Sequence, residues 1–145
     1  MNLIIFISLF TNLIMVGVSL ITHFITYPSF RLINPTIFNE FHKSYTKKTL
    51  FIVAPIMTIE LISTLLIVIF DINYSYIDII LLGVLMLIWV LTFYMIVPIH
   101  KKLSVNYNKD LNQKLIKYNG LRTTFWIIKL LLFIGLCKDL TANFH

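Results

Sequence analysis

Charge is scarce in this chain: 12% of its 145 residues are Asp, Glu, Lys or Arg, against about a quarter in soluble domains. Hydrophobic residues make up 59%, and a chain of this size leaves much of its surface exposed when it folds. A water-soluble core cannot hide that much apolar surface. Cysteine is reduced to Cys137, which excludes an intrachain disulfide and any CxxC site. The marks of a secretory leader are missing too: Met1-Asn2 brings no basic n-region, and no small-x-small cleavage site follows Leu20. The first apolar run is therefore expected to be a retained helix. Acidic residues number 6 against 12 basic ones, for a net charge of +6. The basic residues lie between hydrophobic runs, where they set topology, so nucleic acid is not an expected partner.

What the chain does have is long apolar runs. A membrane-spanning helix needs about 20 mostly apolar residues. Four runs approach this, over about 3–22, 50–70, 77–97 and 121–138. The expected fold is an all-α integral membrane protein, a single membrane domain over 1–145 built as a four-transmembrane-helix bundle. The fourth run is the weakest, being short and carrying Lys129, with Lys138 placed to snorkel at its end. The segments after runs one and three carry the basic residues, Arg31, Lys43, Lys47 and Lys48 in the first and Lys101 to Arg122 in the second. The Asp71 to Tyr76 link has none. Positive-inside then puts both long segments in the cytoplasm and both termini outside.

Those two segments read as amphipathic cytoplasmic-side helices, about 35–47 and 104–118. Asn34-Pro35 is an N-cap followed by proline at the first helical position. Ile37, Phe38, Phe41 and Tyr45 then recur at helical spacing, and Tyr107, Leu111, Leu115 and Tyr118 make a similar stripe. The halves share an order of helix, proline at the exit (Pro28, Pro98), basic amphipathic segment and helix. A parallel internal repeat would explain that order, although few residues are identical between the halves. Pro28, Pro55 and Pro98 are expected as kinks or helix ends.

Polar residues within the apolar runs should turn inward, away from lipid. At 100° per residue, Asn12, Ser19 and His23 share a stripe, as do Glu60, Ser63 and Thr64. Trp89, Thr92, Phe93 and His100 align if the helix continues past Pro98, and Arg122, Trp126, Lys129 and Phe133 align in the last run. Glu60 and Lys129 fall at matching depths, where an unpaired charge costs several kcal/mol, so they are expected to be neighbours. Whether that pair serves packing or chemistry is open. His23, His42 and His100 belong near the cytoplasmic boundary, while the terminal His145 is expected in solvent. With Glu60 the three inner histidines would suit iron, zinc or copper; as neutral imidazoles they would serve as proton acceptors. Histidines at an interface also simply bond backbone or lipid phosphate, and no HxxxH or HxxH spacing favours a metal.

The set His23-x-x-x-Tyr27-Pro28-x-Phe30, Phe41-His42, Pro55-x-x-x-x-Glu60, Trp89-x-x-Thr92-Phe93, Val97-Pro98-x-His100-x-x-Leu103 and Asn119-x-x-Arg122-Thr123-x-x-Trp126 covers nearly the whole chain. It resembles a group of small four-helix bacterial membrane proteins distantly similar to the anthrone-oxygenase-like membrane family. Those proteins carry an aromatic residue where this chain has Gly120, and arginine where it has Lys129. The resemblance implies a four-helix membrane fold in a bacterial cytoplasmic membrane and oxygen-dependent chemistry on a hydrophobic, aromatic substrate.

Two functions follow as expectations. The first is a membrane-embedded oxidoreductase of the oxygenase type taking its hydrophobic substrate from the lipid bilayer. In it His23, His42, His100 and Glu60 bind a non-haem metal or move protons, and Arg122 and Lys129 offer positive charge. Trp89, Trp126 and Asn119 are candidate cofactor contacts. The second is a non-catalytic haem-, quinone- or lipid-binding protein or accessory subunit, with His23 and His100 as axial haem ligands. A carrier or channel would need an oligomer, since four helices leave little room for a pore.

Overall fold

In the computed structural model the described residues are 2–70 and 76–142, with side chains described for 3–70 and 76–135. Asp71 to Ser75 of the expected link, the side chains of Cys137 and Lys138, and His145 lie outside them. Every regular element among the described residues is helical: α1 (Asn2–Ile21), α2 (Tyr27–Ser29), α3 (Pro35–Phe70), α4 (Tyr76–Val90), α5 (Val97–Leu103) and α6 (Lys109–Ala142). A π-helical turn, Thr22–Thr26, joins α1 to α2, a 3₁₀ turn, Phe30–Leu32, follows α2, and a second π turn, Leu91–Ile96, joins α4 to α5. The chain thus forms four rods.

Three of them, Leu3–Leu32, Pro35–Phe70 and Tyr76–Leu103, are long and apolar enough to cross a membrane. The rods are longer than the expected spans because the amphipathic segments are not separate elements. No glycine or proline interrupts Tyr45 to Leu50, so segment 35–47 runs on into the apolar stretch as one helix of 36 residues. At 1.5 Å per residue that is about 54 Å, against a hydrocarbon core of about 30 Å. Most of the segment expected over 104–118 is likewise the first part of α6, whose start is set by Asn108: its Oδ1 accepts from the Leu111 backbone N–H at 2.9 Å.

Pro28 and Pro98 do not end their rods. Proline lacks an N–H and crowds the carbonyl four residues back. Here each is preceded by a π turn, whose wider hydrogen-bond ring makes the room, and each falls in the first turn of the next α-helix. The two sites match closely. Thr22 donates its hydroxyl to Val18 O at 2.7 Å and Thr92 to Ile88 O at 2.8 Å. Thr22 and Thr92, like Pro28 and Pro98, are seventy positions apart, as are the buried pairs Met15/Leu85 and Ser8/Asp78.

The rods stand at the corners of a square. α1 packs on α3 and α6, and α4 packs on the same two, so α1 faces α4 across one diagonal and α3 faces α6 across the other. The core has three apolar layers. One, at the basic end, centres on Tyr27, Phe30, Phe38, Leu103 and Leu115. A middle layer holds Met15, Met57, Leu85, Ile88 and Trp126. The third holds Ile67, Leu81 and Phe133. Outward faces are apolar as well, with Phe6, Phe24, Ile62, Ile69, Leu87 and Leu131 all exposed, which suits a hydrocarbon solvent. Phe93, expected on an inward stripe, is 53% exposed: it lies in the second π turn, where the extra residue rotates the face outward.

Candidate functional site

Two polar sites are built into the bundle. The deeper one joins three rods. Glu60, on α3, and Lys129, on α6, form a salt bridge with both side chains fully buried, as their matched depths require. The Glu60 Oε1 also accepts from Ser8 Oγ at 3.3 Å, and Thr11 on α1 donates to Oε2. Lys129 Nζ donates to Thr64 Oγ1 at 3.3 Å and lies 5.7 Å from the Phe133 ring centre. Every charge-bearing atom of Glu60 is thus engaged by neighbours, which is what makes a buried pair tolerable. Neither charged side chain of the pair reaches the surface.

The second site lies toward the basic end. Tyr27 Oη and His100 Nε2 are 2.9 Å apart, His100 Nδ1 and His42 Nε2 3.1 Å, and His42 Nδ1 and Ser104 Oγ 2.9 Å. The line has one consistent polarity. Ser104 donates its only proton to the His100 carbonyl at 2.9 Å, and a carbonyl can only accept. Its oxygen therefore accepts from His42 Nδ1–H, which leaves His42 Nε2 to accept from His100 Nδ1–H. His100 Nε2 in turn accepts the Tyr27 proton. Both imidazoles are neutral, and both tautomers are set by one serine. His42 is fully buried, stacked on Phe38 with ring centres 5.3 Å apart and edge-on to Phe30 at 5.3 Å. Replacing Ser104 by alanine leaves a buried N–H unpaired. It is expected to lower stability by about 1–3 kcal/mol, read as the thermal midpoint in detergent; an unchanged midpoint would mean that His42 is not anchored by this bond.

Tyr27 and His100 open onto a cavity of about 240 Å³, whose lining also includes Thr22, Tyr45, Val53, Thr92 and Arg122. Arg122 is 6% exposed. It is held by one bond, Nη2 to Asn119 Oδ1 at 2.7 Å, while Asn119 Nδ2 donates to Ser19 O at 3.2 Å. Ser19 and Thr123 hydroxyls meet at 2.7 Å, tying α1 to α6. Arg122 Nε has no hydrogen-bond partner among the described residues, nor do Trp126 Nε1, Trp89 Nε1, His23 Nδ1 and the Asn12 amide.

The expected metal set does not converge. Among the described residues no three His, Cys, Asp or Glu side chains are placed to share an ion. His42 and His100 spend facing nitrogens on each other, and Glu60 is committed to Lys129. His23 lies instead against Gly120: a Cβ built there would stand 2.8 Å from its ring, so the glycine makes room for the imidazole. The haem expectation fares no better at His100, whose two ring nitrogens are both hydrogen bonded. Of the candidate cofactor contacts, Asn119 reaches the cavity only through Arg122, whereas Trp126 is fully buried in the middle apolar layer with Trp89 packed beside it. Sequence reasoning missed Tyr27 and Ser104 as functional candidates, although both flank residues it singled out, Pro28 and Leu103. No protein-family model, curated protein or solved structure matches this chain.

Proposed function

We propose that this is a four-span membrane-embedded oxidoreductase of the oxygenase kind, removing a proton from a hydrophobic small molecule so that dioxygen can oxidise it. The observation that carries the reading is the Tyr27–His100–His42–Ser104 line, which begins at a cavity and ends near the basic, more exposed end of the bundle. A substrate hydroxyl or acidic C–H gives its proton to the Tyr27 oxygen while the Tyr27 proton moves to His100 Nε2. The His100 Nδ1 proton passes to His42 Nε2, so the positive charge comes to rest on His42. The substrate anion is left beside Arg122, whose charge stabilises it. An electron-rich enolate or phenolate gives up electrons to dioxygen far more readily than its acid. Proton removal is therefore the step a protein must supply, and no step here runs through a metal. The resemblance in the motif set supports the oxidative half.

In this reading α6 is the fourth span, its Lys129 neutralised by Glu60. The basic end, with Arg31, Lys43, Lys47, Lys101, Lys109 and Lys117, faces the cytoplasm of a bacterial cytoplasmic membrane, and both chain termini face outward. The test is oxygen uptake by the detergent-purified protein with anthrone or menadiol, together with its absorption spectrum and metal content. Uptake above the uncatalysed rate, without a Soret band, is the expected result. A Soret band with no uptake would favour a haem-binding role, and the absence of both signals would overturn the oxidative reading.

A further inference from the structure

The cavity beside the relay has a floor and a rim of different character. Tyr27, Thr22 and Arg122 at the floor are buried, whereas Leu50 and Lys101 at the rim are exposed. Its walls come from α3 on one side and from the second π turn and α5 on the other. This is where the square is loosest: α3 closes firmly on α1 and α4 but only sparsely on α5. The rim therefore opens sideways, between two rods whose outer faces are apolar, rather than along the bundle axis.

The charges along this path have one sign. Arg122 stands at the floor and Lys101 at the rim, and among the described residues no Asp or Glu lines the cavity. Arg122 has no carboxylate partner among the described residues, where Glu60–Lys129 is the salt bridge, and its buried Nε donates to nothing. A guanidinium stays protonated in proteins, and a buried, unpaired charge is costly. An anion at the floor would relieve that cost and take the free N–H. Size narrows the ligand further. At about 240 Å³ the cavity falls below the roughly 300–1,000 Å³ of pockets that enclose a whole drug-sized ligand. It has room for a head, with the remainder lying outside in the seam.

We infer that the seam between α3 and α5 binds a single-headed anionic amphiphile, its oxygen-anion head on Arg122 and its apolar chain lying outward between the two rods toward the lipid. This rests on the proposed function only for the place of the cavity beside the relay: the anion-binding floor that would receive the substrate's enolate or phenolate is the site that stable oxygen anions probe. The head chemistry fits a free fatty acid or an anionic phospholipid.

Binding is measured in nonionic detergent by quenching of tryptophan fluorescence, with oleate, oleyl alcohol and dioleoylphosphatidylglycerol as separate probes. Wild type is expected to bind oleate saturably and at least ten-fold more tightly than oleyl alcohol. Tighter binding of the phospholipid than of oleate would assign the site to a membrane lipid, and the reverse to a free acid. Arg122→Gln should remove at least ten-fold of the oleate affinity and leave oleyl alcohol unchanged. Val53→Phe, which narrows the seam without touching the cation or adding a tryptophan, should weaken both, and it keeps the test open if the Arg122 variant fails to fold. Equal binding of oleate and its alcohol by wild type, or full oleate affinity in folded Arg122→Gln, would overturn the inference. Oleate binding is read without turnover, so a failed oxygen-uptake test leaves the seam standing, and a failure of wild type to prefer oleate overturns the seam and leaves the relay to its own test.

Discussion

Glu60→Leu and Lys129→Leu are each expected to destabilise the protein by about 3–5 kcal/mol, because either change strands its partner as an uncompensated buried charge. The double variant should regain much of that loss, since two leucines fill the diagonal of the bundle without any charge to solvate. Recovery stops short of complete because Ser8, Thr11 and Thr64 lose partners they now bond. Unfolding in detergent, followed by helical circular dichroism, measures all three variants together. Additive losses in the double variant would mean that the charges are not coupled, and the ion pair would then be incidental to how α3 and α6 face each other across the diagonal.

The second large effect is on turnover. Tyr27→Phe keeps the ring and its contact with Phe30, at 5.5 Å between centres, and deletes only the hydroxyl through which the proton enters the line. Its rate with the oxidisable substrate should fall by about 10²–10⁴, the usual contribution of positioned acid–base groups. His100→Leu should lose a similar factor. Because the groups act in series, Tyr27→Phe combined with His100→Leu should be hardly slower than either alone. A lower oxygen-uptake rate in each variant, with unaltered circular dichroism, is the expected pattern. A Tyr27→Phe protein that turns over at the full rate would leave the line of bonds as scaffolding.

Much of the architecture can be read from the residues, because apolar runs and inward polar stripes are what a helical chain suited to a hydrocarbon solvent requires. Asn12, Ser19, Glu60, Ser63, Thr64, Arg122, Trp126 and Lys129 are all buried, and Glu60 meets Lys129 because only pairing makes either tolerable at that depth. Helix ends were less legible. Proline ordinarily signals a boundary, yet Pro28 and Pro98 are carried within continuous rods by π turns, a register change that no periodicity of 3.6 anticipates. The same turns place Phe93 outside and bring Tyr27 and His100 together from different rods. The histidines illustrate the limit of residue type as a guide. Three imidazoles near one boundary invite a metal, but ring orientation decides, and here Ser104 and Gly120 set it. Neither residue attracts notice in a search for ligands.

The burial of Lys129 bears on how the chain is made. The three rods that pass on length and apolarity can each partition into a bilayer as they emerge. The last helix has a cation in the middle of its apolar stretch, and a lysine at that position opposes insertion by about 2.5–3.5 kcal/mol. Its counter-charge sits on α3, which is synthesised earlier. In the four-span reading proposed above, assembly has an order: α6 enters as a guest of a bundle already in place, matched to Glu60, and a chain altered at residue 60 is expected to leave its C-terminal helix stranded at the interface. In that reading the ion pair would act as a checkpoint during synthesis as well as a clamp in the finished fold.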